Sequence, residues 1–352
     1  MSTESQLELE LRRAKRQGLR VAIAVTLGLC MGLVLGEPLP FLVPLFASQF
    51  LLASRHAPAL LQGVVTVVLV ILTGALLAFF SSLFAERPWI LLSLLWLFYF
   101  TSFVAQGLRL GGAAPALILV IAIVIPLLDI LQRNLGESIV LLLAKAITLG
   151  MMLAWGTHAL LPDPTGGYSS EGFALAHDPA LVIHQAAASG AILLAMVALC
   201  LSDPRLATAM VIPITVASLL SQLELYMSFR TALGLVMVNL IGGVAASLAF
   251  TLVELHPSLW LVALIVLLVS LLFAGNATVG STRGKVFGGG LVVFLVLFGL
   301  GISPLPTSTP ELFSTRLAYV LCAIAYAIVL TALLWPRQPP VGHTVSGNAD
   351  DG

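Results

Sequence analysis

The chain reads as an all-α integral membrane protein of about twelve transmembrane helices, built as two tandem six-helix repeats. Three observations predict that class. First, 59% of its 352 residues are hydrophobic and only 9% are charged, with a mean hydropathy of +1.08. A soluble domain carries about 25% charged residues, so this chain cannot cover a water-facing surface. Second, apolar runs follow one another with very short polar breaks. Third, proline and glycine recur at a fixed offset. Pro44 interrupts the short run Phe41–Ala53, and Pro213 interrupts Ala207–Leu220. The same shift of about 169 positions carries Gly74 onto Gly243 and Pro88 onto Pro257 without a gap, and lays Ala22-Ile23 over Ala191-Ile192. Proline-broken short segments at corresponding places in two halves point to a transporter's binding site.

The elements follow in order. Residues 1–19 hold Arg12, Arg13, Lys15 and Arg16 among glutamates at helical, amphipathic spacing, which predicts a leader helix on the inner membrane surface. No small-residue cleavage site precedes Glu37, so the first apolar run reads as an uncleaved helix. The first membrane half spans 20–161, with helices expected at 20–36, 40–54, 61–84, 88–107, 113–132 and 137–161. A linker over 162–184 carries Asp163, Glu171 and the turn-forming Pro164-Thr165-Gly166-Gly167. The second half spans 185–336, with helices expected at 186–202, 207–225, 231–254, 257–275, 286–303 and 313–335. The tail, 337–352, has the composition of a disordered cytoplasmic segment. Most runs approach the ~20 residues that cross a ~30 Å hydrocarbon core. The second and eighth are short, and read as half-spanning, kinked at Pro44 and Pro213, or re-entrant.

Lysine and arginine set the orientation. With the N-terminus inside, the inner breaks hold Arg12, Arg13, Lys15, Arg16, Arg20, Arg55, Arg109, Arg230, Arg283, Lys285 and Arg337, against Arg87, Arg133, Arg205 and Arg316 outside. Both termini and the linker are therefore expected in the cytoplasm.

Several functions are excluded. Net charge is zero, so nothing points to nucleic acid. Cys30, Cys200 and Cys322 lie inside apolar runs with no metal-ligand spacing and read as small core residues. There is no GxxxxGK[ST] run for a nucleotide, no GxSxG and no aspartate-rich pair. Neither an enzyme nor a cofactor nor a metal is expected.

The polar residues within the apolar runs are the candidate site. A charge at the bilayer centre costs at least ~2.5–3.5 kcal/mol, so each is a functional candidate by default. Lys145 lies about two turns into the sixth run, and Asp129 near the outer end of the fifth. Lys145 reads either as a snorkelling cation or as a charge that attracts a substrate carboxylate. Asp129 reads as a partner of Lys145 or, at i,i+4, of Arg133. His158 follows Lys145 by 13 positions, close to a whole number of turns, so the two could face one cavity; His158 is either a structural hydrogen-bonder or a proton carrier. Glu224 ends the eighth run near Arg230, and Asn239 lies mid-helix beside Gly242 and Gly243 as a helix-contact or pathway residue. Ser48 and Gln49 follow Pro44, and Ser218 and Gln222 follow Pro213. A proline inside a helix frees a carbonyl that only protein or a water-filled cavity can satisfy, so these pairs are expected to line a central polar path.

One pattern resembles a known family. Arg20-x-Ala22-x-Ala24-x-x-Leu27-Gly28 runs into Pro38-Leu39-Pro40-Phe41-x-x-Pro44, followed by Gln62-Gly63 and a glycine-bearing third helix. This resembles the fusaric acid resistance and aromatic acid exporter-like superfamily, in a short all-membrane branch without large cytoplasmic domains. The likeness is clearest over 12–160 and is carried in the second half mainly by Pro213. It implies an inner-membrane efflux component, a small aromatic or heterocyclic acid or drug-like substrate, and partnership with an HlyD-like periplasmic membrane fusion protein and an outer-membrane channel. The rival reading is a non-transporting membrane subunit that scaffolds an envelope complex. A homo-oligomer is compatible with either.

Overall fold

The computed structural model describes residues 3–53, 59–84, 86–108, 110–131, 136–162, 179–202, 211–222, 229–278, 282–303 and 313–334. Among the described residues there are twelve helices and no strand: α1 Thr3–Val34, α2 Leu42–Ala53, α3 Leu60–Leu83, α4 Pro88–Gly107, α5 Ala114–Leu131, α6 Gly136–Leu160, α7 Pro179–Ser202, α8 Val211–Gln222, α9 Phe229–Leu255, α10 Leu259–Ala277, α11 Thr282–Gly301 and α12 Phe313–Leu334. Seven are long and apolar enough to cross a bilayer, and the protein is a multi-pass membrane protein. Most of the chain's backbone polar groups are paired inside these helices, as a hydrocarbon solvent requires.

Two sequence expectations are adjusted. The leader is not a separate surface helix, because residues from Thr3 continue without interruption into the first apolar run. The resulting 32-residue helix is ~48 Å long, longer than the hydrocarbon core, so its polar end projects beyond it. The seventh helix is already formed at Pro179, before the expected start at 186. The linker residues 163–178 and the tail from 335 onward lie outside the described residues. The second helix is short, as expected, at 12 residues, or ~18 Å, well under a full crossing. The eighth is described over Val211–Gln222, with the residues on either side of it outside the described residues.

α2 and α8 belong to the centre. α2 packs against α5 and α11, and α8 also packs against both. α5 and α11 are themselves nearly all apolar: Leu117, Ile121, Ile123 and Val124 on α5, and Leu291, Phe294 and Phe298 on α11, are fully buried. A helix that is hydrophobic on every side is one that protein surrounds on every side. The other eight helices enclose these four. α1 packs on α2, α6 and α10; α7 packs on α8, α12 and α4. α3 packs on α5 and α6, α9 on α11 and α12, α4 on α5, and α10 on α11.

Glycine sets the closest approaches. A Cβ on Gly18 of α1 would lie 3.0 Å from the backbone of Gly275 on α10, and one turn away the Thr278 hydroxyl donates to the Ala14 carbonyl at 2.7 Å. A Cβ on Gly242 of α9 would lie 2.5 Å from the Gly290 carbonyl oxygen of α11. Without a hydrophobic drive between helices in lipid, such backbone-to-backbone contact is what holds them together. At the other end of α1, the irregular segment 35–41 turns back into the protein. Pro40 fits against Gly32, Phe41 lies on Gly299 of α11, and the Ser303 hydroxyl donates to the Pro38 carbonyl. Leu39 and Phe41 are buried there, which is the condition for non-helical backbone at such a depth.

Candidate functional site

Pro44 does not break its helix; it opens it, as the third residue of α2. In the first turn the backbone N–H has no intrahelical partner to lose, so proline costs little there. The expectation that Pro44 frees a carbonyl toward a polar path is therefore corrected. Pro213 lies on α8, and the residues before Val211 are outside the described residues. Ser48 is fully buried, but its hydroxyl donates into its own helix, to the Leu45 carbonyl at 2.7 Å. Gln49 and Ser218 are half-buried. The Gln222 side chain and the whole of Glu224 lie outside the described residues.

The proline rule does act, at a residue that sequence reading passed over. Pro126 lies inside α5 and removes the N–H that would bond the carbonyl of Ala122. The buried Tyr99 of α4 donates its hydroxyl to that same Ala122 oxygen at 3.1 Å. A freed carbonyl has thus found a partner on the neighbouring helix, where no water could supply one. The pairing of an interior proline with a tyrosine one helix away is not visible from local spacing.

Lys145 forms an ion pair with Glu37, from the irregular segment between α1 and α2. The lysine side chain is 48% exposed and the glutamate 11%. On α6 it shares the outward stripe with Leu141, Thr148 and Met152, whereas Gly150 and Ile147 face inward. Lys145 therefore faces away from the α2–α8 centre, and its partner is Glu37. An unpaired charge in this setting would cost at least ~2.5–3.5 kcal/mol, which explains why the two charges meet. Asp129 lies on α5, but its side chain, like Arg133, falls outside the described residues.

His158 occupies the opposite end of α6. Thirteen residues of helix separate it from Lys145 by ~20 Å, so the two do not share a cavity. It is buried, and its Nδ1 lies 2.9 Å from the Ala154 carbonyl. A carbonyl only accepts, so Nδ1 carries the proton. Nε2 is buried and, among the described residues, has no hydrogen-bond partner. Asn239 is fully buried on α9, one turn before Gly242 at the α9–α11 contact.

The most elaborate polar arrangement involves Arg20, which sequence reading used to orient the chain and as the start of the resembling pattern, not as a site residue. It is 1% exposed. Its Nε donates to the Leu161 carbonyl at 2.9 Å, its second terminal nitrogen reaches the same oxygen, and the first donates to Gln17 Oε1 at 2.9 Å. Gln17 in turn donates from Nε2 to the Leu51 carbonyl, and Arg16 donates to the Pro162 carbonyl at 3.0 Å. One turn of α1 thereby caps the C-terminal ends of α6 and α2 together. Unpaired carbonyls and the negative end of the helix dipole both favour a cation at that place.

Compared with known proteins, the chain matches no family model, no curated sequence and no solved structure.

Proposed function

We propose that the protein is a secondary efflux transporter component of the bacterial inner membrane, made of two tandem six-helix repeats with both termini in the cytoplasm. It exports small aromatic or heterocyclic acids or drug-like compounds, draws on the proton gradient, and works with an HlyD-like periplasmic membrane fusion protein. One observation carries the reading: two buried helices at the middle of the molecule, one in each half, each meeting the other half. α2 packs on α11 and α8 packs on α5. Short segments in corresponding positions of two halves are the mark of a transporter's translocation region. The repeat itself draws support from boundaries and neighbours. The offset of ~169 positions that relates Pro44 to Pro213 also carries Leu42–Ala53 onto Val211–Gln222. The neighbours correspond as well, since α1–α10 answers to α7–α4, and α2–α6 to α8–α12. The superfamily resemblance supplies the substrate class and the adaptor.

The decisive experiment is accumulation of labelled aromatic acids in cells with and without the protein and its adaptor. Lys145→Met should abolish export at matched membrane abundance, and Lys145→Arg should retain part of it. Wild-type export by Lys145→Met means that the lysine is structural and the substrate is not an anion. Orientation has its own test: cysteines placed at Ser169 and Thr307, both outside the described residues, should label from opposite sides of the membrane. Same-side labelling removes the twelve-span arrangement.

A scaffold subunit is favoured by a different observation. Most buried side chains of α2, α5, α8 and α11 are apolar, and the ion pair at Lys145 is already closed. Absence of export for every acid, with stable recovery of a partner complex, selects that reading.

A further inference from the structure

We propose that the polar end of α1 carries a binding site for an anionic phospholipid, with the lipid phosphate held by Arg12, Lys15 and Arg16 and an acyl chain lying along the exposed side of the same helix. The inference stands apart from the export reading and holds equally for a scaffold subunit.

The site follows from how α1 divides its faces. At 3.6 residues per turn, Arg12, Lys15, Arg16 and Leu19 fall within roughly 100° of the helix circumference, and all four are exposed. The other side of the same turns is committed to protein. Ala14 and Gly18 meet α10, while Gln17 and Arg20 reach the ends of α2 and α6. The cations are thus turned outward by the packing of their neighbours. Lys15 makes no ion pair and no hydrogen bond among the described residues. Arg16 is tethered from Nη1 to the Pro162 carbonyl at 3.0 Å. A guanidinium has five N–H donors, so the tether fixes the group and leaves donors for an anion.

Position along the helix selects a lipid as the occupant. The stretch of α1 that is apolar enough to cross a bilayer begins at Leu11, so the three cations lie at its edge, at headgroup level. The acidic residues Glu4, Glu8 and Glu10 come earlier in the helix, on the side away from that stretch. Charge is therefore ordered along the axis, with the basic turn beside the membrane. A free phosphate ion would meet the same cations, but the exposed side does not end with them. Leu19, Leu27 and Val34 continue it into the apolar length. Cations at one end and exposed hydrocarbon beyond them match an anionic head joined to an acyl chain. Each lysine or arginine near the surface contributes about fivefold in affinity for an anionic headgroup.

The test titrates the purified full-length protein in detergent with three probes, counted as bound adducts by native mass spectrometry. The probes are phosphatidylglycerol, phosphatidylcholine with the same acyl chains, and glycerol phosphate, which is the head without the chains. The wild type should bind phosphatidylglycerol at least about fivefold more tightly than phosphatidylcholine. Lys15→Gln should lose about fivefold for phosphatidylglycerol and nothing for phosphatidylcholine, and Lys15→Arg should keep the preference. Arg87→Gln removes an exposed cation from the break between α3 and α4 and should change neither. Equal affinity of the wild type for the two lipids overturns the proposal. So does an unchanged preference in Lys15→Gln, or an equal loss in Arg87→Gln, which would mean a response to net charge alone. Glycerol phosphate bound as tightly as phosphatidylglycerol would make this a site for a free phosphate, and the lipid assignment would fall.

Discussion

The first six helices and the last six are held by a different mix of contacts. Among the described residues of the first six, Arg20 and Gln17 cap two helix ends, Glu37 pairs with Lys145, and Tyr99 serves the carbonyl freed by Pro126. At the offset of ~169 positions the last six have Ser189 for Arg20, Leu268 for Tyr99, Leu295 for Pro126 and Ser314 for Lys145. Their own interhelical bond runs from the Tyr326 hydroxyl to the Ile192 carbonyl at 2.8 Å, and glycine brings backbones close in both groups, as Gly150 does at 3.0 Å from the Ala47 nitrogen. Where Gly74 on α3 meets the Ile121 side chain of α5 at 3.5 Å, the corresponding α9–α11 crossing sets Gly242 against the Gly290 carbonyl oxygen at 2.5 Å. The lesson is that one packing scheme in lipid can be stabilised through directed hydrogen bonds or through close backbone contact.

The hardest test of this contrast is Arg20→Met set beside Ser189→Ala. Removing the guanidinium takes the side-chain donor away from the Leu161 carbonyl and from Gln17 Oε1, where α1 meets two helix ends. A loss of about 3 kcal/mol is expected for Arg20→Met in unfolding from detergent, while the neutral exchange Ser189→Ala should cost under about 1 kcal/mol. Equal losses would mean that the clasp is not what distinguishes the halves.

A smaller effect is expected where glycine does the holding. Gly242→Ala pushes a methyl group into the Gly290 backbone and should destabilise by about 1–3 kcal/mol. Gly74→Ala meets only a side chain at ordinary contact distance, and in a helix interior it should be neutral or stabilising by about 0.5–1 kcal/mol. Thermal melts of the two variants decide this directly. A sign reversal between them would undo the contrast.

The mildest change, and the sharpest in logic, is Tyr99→Phe. It leaves the Ala122 oxygen unpaired and should cost about 1 kcal/mol. Pro126→Ala restores the helical N–H that Ala122 lacks, so in that background Tyr99→Phe should cost nothing measurable. A double-mutant cycle with zero coupling would show that the tyrosine and the proline act independently.

Much of the architecture was legible in the chain itself. Scarcity of charge dictates a membrane setting, because hydrocarbon tolerates what water does not. Run length predicts the twelve helices and singles out the second and eighth as short, because each helical residue adds a set rise. The site was much less legible. Local spacing marked Pro44 as a break, but a proline's effect depends on where the helix begins, and α2 begins two residues earlier. It offered Asp129 as a partner for Lys145, yet the ion pair that Lys145 forms is with Glu37, 108 positions away. It counted Arg20 among inner-face charges, though its acceptor is 141 positions along the chain and the side chain is buried. Composition and periodicity determine how much of the chain enters the membrane and in what pieces, because each residue meets the solvent on its own. Which polar group meets which was decided only by tertiary packing, because in a medium without water each must find its partner on whichever helix the fold brings near.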